Sequence, residues 1–162
     1  MSAPATATRP IGLPSARVLI GTVYGVCVVA FIAVLVGEIV VSDRDPYRPE
    51  DPVQAITGVG LVGTAALVIG VGLGLWLVRT PERSKAGAIL FAALSVLSLI
   101  VFWSGAPGVF GACAAWLAGL TRGGRPLGGA ARVAGVVGAF MALLNIVFTA
   151  GGVLVTAFTD WN

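Results

Sequence analysis

Long uncharged stretches separated by short polar connections constrain this chain more than any motif it carries. Residues 18–41 form a run of 24 whose one charge, Glu38, lies near its far end. A water-soluble domain cannot hide such a run, whereas about 20 apolar residues in a helix match the hydrocarbon thickness of a bilayer. Comparable stretches follow at about 53–78, 86–103, 107–120 and 133–158. The sequence therefore predicts an all-α fold, a polytopic helical transmembrane bundle, with 18–158 as one transmembrane domain. Composition agrees, since 10% of residues are charged against about 25% in ordinary soluble domains. Residues 1–17, rich in Ala, Thr, Ser and Pro, read as a disordered cytoplasmic tail, and 159–162 as a short outer tail.

The number of crossings turns on the fourth stretch. At the α-helical rise 86–103 reaches about 27 Å, close to one hydrocarbon thickness, but 107–120 reaches only about 21 Å. Four spans with a re-entrant or interfacial segment at 107–120 are the alternative to five. Arginine and lysine decide between them, because cytoplasmic loops are enriched in both. Five spans from a cytoplasmic N-terminus put eight inside (Arg9, Arg17, Arg79, Arg83, Lys85, Arg122, Arg125, Arg132) and two outside (Arg44, Arg48). Four spans give five against five and no bias. Five are therefore expected, with the C-terminus extracytoplasmic and the fourth helix accommodated by local thinning of the bilayer. The same arrangement puts Trp76 and Trp116 near the inner interface and Trp103 and Trp161 near the outer one, where tryptophans concentrate.

Several functions are opposed by what the chain lacks or by where its motifs fall. It has no histidine, the usual general base and commonest metal ligand. Cys27 and Cys113 sit in apolar runs, where a thiol behaves as a small hydrophobe. The 24-residue first run is too long for a signal-peptide core, which reads it as an uncleaved anchor. The basic residues flank apolar runs singly or in pairs instead of forming a phosphate-binding stripe, so nucleic acid is not an expected partner. Gly58 to Gly63 fit G-x-G-x-x-G, but no strand precedes them and Thr80-Pro81 stand where the ribose-binding acid belongs. In the connection 42–52 (SDRDPYRPEDP), an EF-hand frame from Asp43 finds Arg48 where glycine is required and Gln54 in place of the bidentate glutamate. No cofactor, no metal and no catalytic residue is assigned, and the chain is read as no enzyme.

The remaining candidates lie along helix faces. Gly60, Gly63, Leu67, Gly70 and Gly74 recur every three or four residues in the second stretch. Gly135, Gly138, Ala142, Asn145, Thr149 and Gly152 do so in the fifth, and Gly111, Ala115 and Gly119 in the fourth. Small residues in such stripes let helix backbones approach where lipid offers no hydrophobic drive, which predicts that the second, fourth and fifth helices form a tight bundle. Asn145, with Thr149 one turn on, is the most polar uncharged side chain deep in a span. It reads as an interhelical hydrogen bond, with a ligand or ion contact as the sharper alternative. Glu38 is the one ionisable group well inside a span, a functional candidate that also lies near enough to the outer interface to reach water.

The run Pro107-Gly108-Val109-Phe110-Gly111-Ala112, then Ala118-Gly119-Leu120, the Arg/Gly turn 121–129 and Ala134-Gly135-Val136-Val137-Gly138 resembles a widespread bacterial membrane domain of unknown function, in which two small-residue-rich helices flank a short basic glycine turn. The resemblance covers the last third of the chain. Arginine in preference to lysine, with abundant Ala, Gly and Val, also resembles small multi-pass membrane proteins of high-GC bacteria. These resemblances imply an architecture and a bacterial inner-membrane setting, and carry no site residues. The expected function is that of a non-enzymatic accessory or assembly partner, lodged in the lipid bilayer and meeting a membrane-protein partner or its own copies through helix faces. The alternative is a small oligomeric transporter or channel using Glu38, Asn145 and Thr149.

Overall fold

A computed structural model of the chain describes residues 13–41 and 56–159. The rest of the N-terminal tail, the acidic connection, residues 160–162 and the Glu38 side chain lie outside the described residues, so the readings of Glu38 and of the 42–52 loop fall there.

The described residues form five α-helices and no strand. Helix α1 is Ala16–Val41. Helix α2, Thr64–Leu77, continues a wider π-helical segment, Ile56–Gly63. Helix α3, Pro81–Leu97, tightens into a 3-10 segment, Ser98–Ser104. Helix α4 is Ala106–Leu117 and α5 is Ala130–Thr159. Four stretches are long and apolar enough to cross a membrane: Ala16–Ala33, Gly60–Leu77, Pro81–Ser104 and Ala130–Val155. Ala106–Leu117 is the shorter fifth.

Two boundaries differ from those read in the sequence. Helix α3 begins at Pro81 and not at 86, because Pro81 follows an extended Thr80 and occupies the first turn, where its missing N–H costs nothing. Glu82 in that turn faces the positive end of the helix dipole. Helix α5 begins at Ala130 and not at 133, and runs unbroken through Gly151-Gly152. Inside a chain of apolar neighbours, two glycines lower helix propensity without removing a hydrogen bond.

Helix α4 is the centre of the molecule and packs against all four other helices. Ten of its twelve residues are buried. At about 18 Å it is the shortest of the five, and its neighbours cover it. Its small side chains make this possible. Gly111 and Gly138 meet at the α4–α5 crossing, where a Cβ on either would strike the carbonyl oxygen of the other. On the far side of α4, Gly70 of α2 lies over Cys113 and Val109, and Gly74 lies over the Trp116 ring. Within the packing of the second, fourth and fifth helices, α4 lies between α2 and α5. A stripe of small residues shows that a face is approached closely but not by which helix.

Contacts at two levels fix the path of the chain. At one end Leu13 pairs with Thr121, and the Arg122 N–H donates to the Pro14 carbonyl at 3.2 Å. At the same end the Ser84 hydroxyl donates to the Leu117 carbonyl at 2.6 Å. At the other level Gly63 meets the Ser104 carbonyl, Gly105 meets Cys27, and Asn145 meets Phe102. The helices therefore alternate in direction, α4 returning to the level from which α3 set out.

Candidate functional site

The most polar place inside the bundle is built on a break in the backbone. Between α3 and α4 the 3-10 segment contains Val101 at φ −118°, ψ 43°, and ends at Gly105 with φ +78°. A reversal this tight needs a residue that tolerates the left-handed region, and a side chain there would also run into the Cys27 thiol. The break takes carbonyls out of the helical ladder, and groups so removed need partners from elsewhere.

Side chains supply the missing donors. Asn145 of α5, buried, donates from Nδ2 to the Phe102 carbonyl at 3.2 Å. The Cys27 thiol of α1 donates to Asn145 Oδ1 at 3.5 Å, and Thr149, half-buried one turn further along α5, hydrogen-bonds the same thiol. Ser104 donates to the Val101 carbonyl at 2.7 Å while its oxygen accepts from the Ala106 N–H at 3.2 Å. Ser95 donates to the Pro107 carbonyl at 2.6 Å. Among the described residues no buried side-chain nitrogen or oxygen lacks a partner. Gly108 makes room for the network, since a Cβ there would strike Asn145 and Val23.

Of the residues singled out in the sequence, the structure brings Asn145 and Thr149 together around Cys27. It places Gly63, Gly70, Gly74, Gly135 and Gly138 against neighbouring helices, Gly135 facing Ala118 and Leu120. Gly60, within the π-helical segment, is exposed. Sequence reasoning missed Cys27, Gly105 and the Phe102 carbonyl as parts of the site. The Ser104-Gly105-Ala106-Pro107 link marked a helix break, but nothing in the residues states that the break lies level with Asn145.

Beside this network is a half-open cleft of about 250 Å³ lined by Leu99, Phe102, Pro107, Met141, Leu144, Asn145 and Phe148. Its lining is apolar except for the Asn145 amide, both ends of which are already engaged.

At the opposite level the exposed side chains of Arg17, Arg79, Arg83, Lys85, Arg122, Arg125 and Arg132 gather at one end of the bundle. The Arg83 guanidinium lies 4.7 Å over the Trp76 ring. Among the described side chains Glu82 is the single acid at that end. Trp103, half-exposed, marks the other end. No family model, curated protein or solved structure matches the chain.

Proposed function

We propose that this chain is an integral membrane protein of the bacterial inner membrane that crosses the bilayer five times and serves as a non-enzymatic accessory or assembly partner, working through its outer helix faces. The observation that carries this reading is the closed account of the interior. Asn145 holds the α3–α4 break through the Phe102 carbonyl, Cys27 is bonded to the same amide, and no buried side-chain nitrogen or oxygen among the described residues lacks a partner. The outward faces, by contrast, are broad and apolar, from Val133 and Phe140 to Phe148 and Leu154 on α5 alone. In lipid such faces associate by shape and by small residues.

The gathering of seven cations at one end supports a cytoplasmic N-terminus and an extracytoplasmic C-terminus through the positive-inside bias. The topology is tested by alkaline phosphatase or a cytoplasm-dependent fluorescent protein fused after Asn162, and by a cysteine at Gly128, where a side chain meets nothing within 4 Å. Phosphatase activity, no fluorescence, and a position 128 shielded from an impermeant thiol reagent in intact cells are expected. The accessory role is tested by purification in mild detergent with reciprocal tagging of whatever membrane protein co-purifies. A discrete homomeric species that conducts solute in proteoliposomes would replace this reading with that of a small transporter.

A further inference from the structure

We propose that the basic end of the bundle is a binding surface for anionic phospholipid headgroups of the leaflet it faces, centred on the turn 121–125 and on Arg17. The inference rests on the membrane-spanning reading and adds to it a lipid class and a place.

Depth is the first argument. Arg17 directly precedes Val18, Arg79 follows Val78, and Arg132 precedes Val133, all three valines being exposed side chains at the limit of an apolar helix. Each of these cations is therefore tethered at the junction of hydrocarbon and headgroup. Trp76, exposed and capped by Arg83, has the amphipathic ring that prefers the same layer. A soluble polyanion would need a stripe projecting into water, whereas these charges ring the ends of spans.

Order is the second. The Gly124 N–H closes a turn on the Thr121 carbonyl at 2.9 Å with Gly123 at φ +87°, so Arg122 and Arg125 flank a fixed reversal. Gly124 packs on the Gly119 backbone, and Arg122 is tied through its N–H to Pro14, three residues before Arg17. Two arginines of one turn and a third about a hundred residues earlier in the sequence are thus held on one frame, all three exposed, and the backbone leaves little ordering for a ligand to impose. With Glu82 the single described acid among seven cations, the surface attracts phosphate, and charges at the bilayer surface each add to that attraction.

The experiment uses the full chain in a zwitterionic detergent, titrated with phosphatidylglycerol or with phosphatidylcholine and read by thermal unfolding and by native mass spectrometry of retained lipid. Phosphatidylglycerol is expected to raise the Tm and to be retained, an effect that weakens with added salt, and phosphatidylcholine to do neither. The pair R122Q/R125Q is expected to bind phosphatidylglycerol roughly 30-fold more weakly, given the usual attraction per cation at such a surface, with its lipid-free Tm unchanged. Should that pair fail to fold, R17Q tests the same frame from α1 and is expected to weaken binding several-fold. Equal effects of the two lipids, or wild-type binding by the variants, would overturn the proposal. So would an equal Tm shift from inorganic phosphate or a short oligonucleotide, which would mark a surface for soluble anions. Failure here in a chain that resists carbonate extraction from membranes removes the lipid site and leaves the membrane reading standing.

Discussion

The chain reverses direction on both sides of α4, and the two reversals are stabilised by different mixtures of side-chain and backbone hydrogen bonds. At the α3–α4 break side chains take part: Asn145 of α5 donates to the Phe102 carbonyl, Ser95 of α3 to the Pro107 carbonyl, and Ser104 of the break itself donates to the Val101 carbonyl and accepts from the Ala106 N–H. In the α4–α5 connection the backbone closes on itself. The Gly119 and Leu120 N–H groups return to the Trp116 and Ala115 carbonyls, the arrangement of a left-handed glycine cap, and the Leu127 N–H reaches the Ala118 carbonyl. The difference follows from the surroundings. A break packed against α1 and α5 takes a hydrogen bond from Asn145, which is itself bonded to Cys27, and so ties those helices together. The α4–α5 connection closes most of its bonds within its own backbone, with Arg122 tied to Pro14 and Ser84 to Leu117, and leaves its arginines exposed.

The contrast is broken most severely where α4 meets α5, beneath both reversals. A Cβ at Gly138 would lie 2.5 Å from the Gly111 carbonyl oxygen and 2.7 Å from the Ala114 methyl, with backbone on one side that has nowhere to go. We expect Gly138→Leu to separate the two helices and to lower stability by about 3 kcal/mol or more, the upper range of overpacking. Gly63→Leu, directed at the Ser104 carbonyl, comes next. Gly72→Leu is the control, because a side chain there meets nothing within 4 Å. Thermal unfolding in detergent ranks the three, and equal Tm values for Gly138→Leu and Gly72→Leu would dissolve the proposed crossing.

Asn145→Leu comes second in size. It keeps the heavy-atom count and branching of the side chain but removes its polarity, depriving the Phe102 carbonyl of one donor and the Cys27 thiol of an acceptor. Phe102 retains a bond from the Gly105 N–H at 3.2 Å, so the loss is partial. The expected cost is about 1–2 kcal/mol, between a membrane interhelical bond and a fully unsatisfied buried group. Cys27→Ala, which removes only the thiol, is expected to cost less. If Asn145→Leu left the Tm unchanged and abolished association with a membrane partner or a transport signal, the amide would be a contact site and not a stitch.

How far the sequence reaches can be seen at these same residues. Run lengths and the placement of Arg and Lys anticipate five helical segments with Arg17, Arg83, Lys85, Arg122 and Arg132 at one end, because solvent preference acts on each residue separately. Asn145 and the glycine stripes are visible as candidates for the same reason. What the sequence does not carry is depth matching between segments. That Phe102, Cys27 and Asn145 converge, that α4 lies between α2 and α5, and that Pro14 meets Arg122 all depend on relative translation of helices whose apolar faces are nearly featureless. Pro81 shows a second limit, since one proline both ends a span and starts the next.

The smallest expected effects lie in the α4–α5 connection, and they sharpen the comparison by asking whether that connection is folded or merely short. Gly124 and Gly128 are both exposed glycines with φ outside the left-handed region, so alanine meets no backbone penalty at either. They differ in surroundings: a Cβ at Gly124 would lie 2.8 Å from the Gly119 carbonyl oxygen, while one at Gly128 meets nothing within 4 Å. Gly128→Ala is therefore expected to be neutral or to stabilise by about 0.4–1 kcal/mol, through the loss of conformational freedom in the unfolded chain. Gly124→Ala acts on the unfolded chain equally but must push the turn off the Gly119 backbone, so its sign reverses and the Tm falls. A slack loop gives both substitutions the same small gain, whereas a loop closed on itself separates them. Unfolding curves for the two variants, measured side by side in one detergent, decide it. Coincident curves would mean that Arg122 and Arg125 ride on a mobile segment, and the local backbone closure contrasted with the α3–α4 break would not hold.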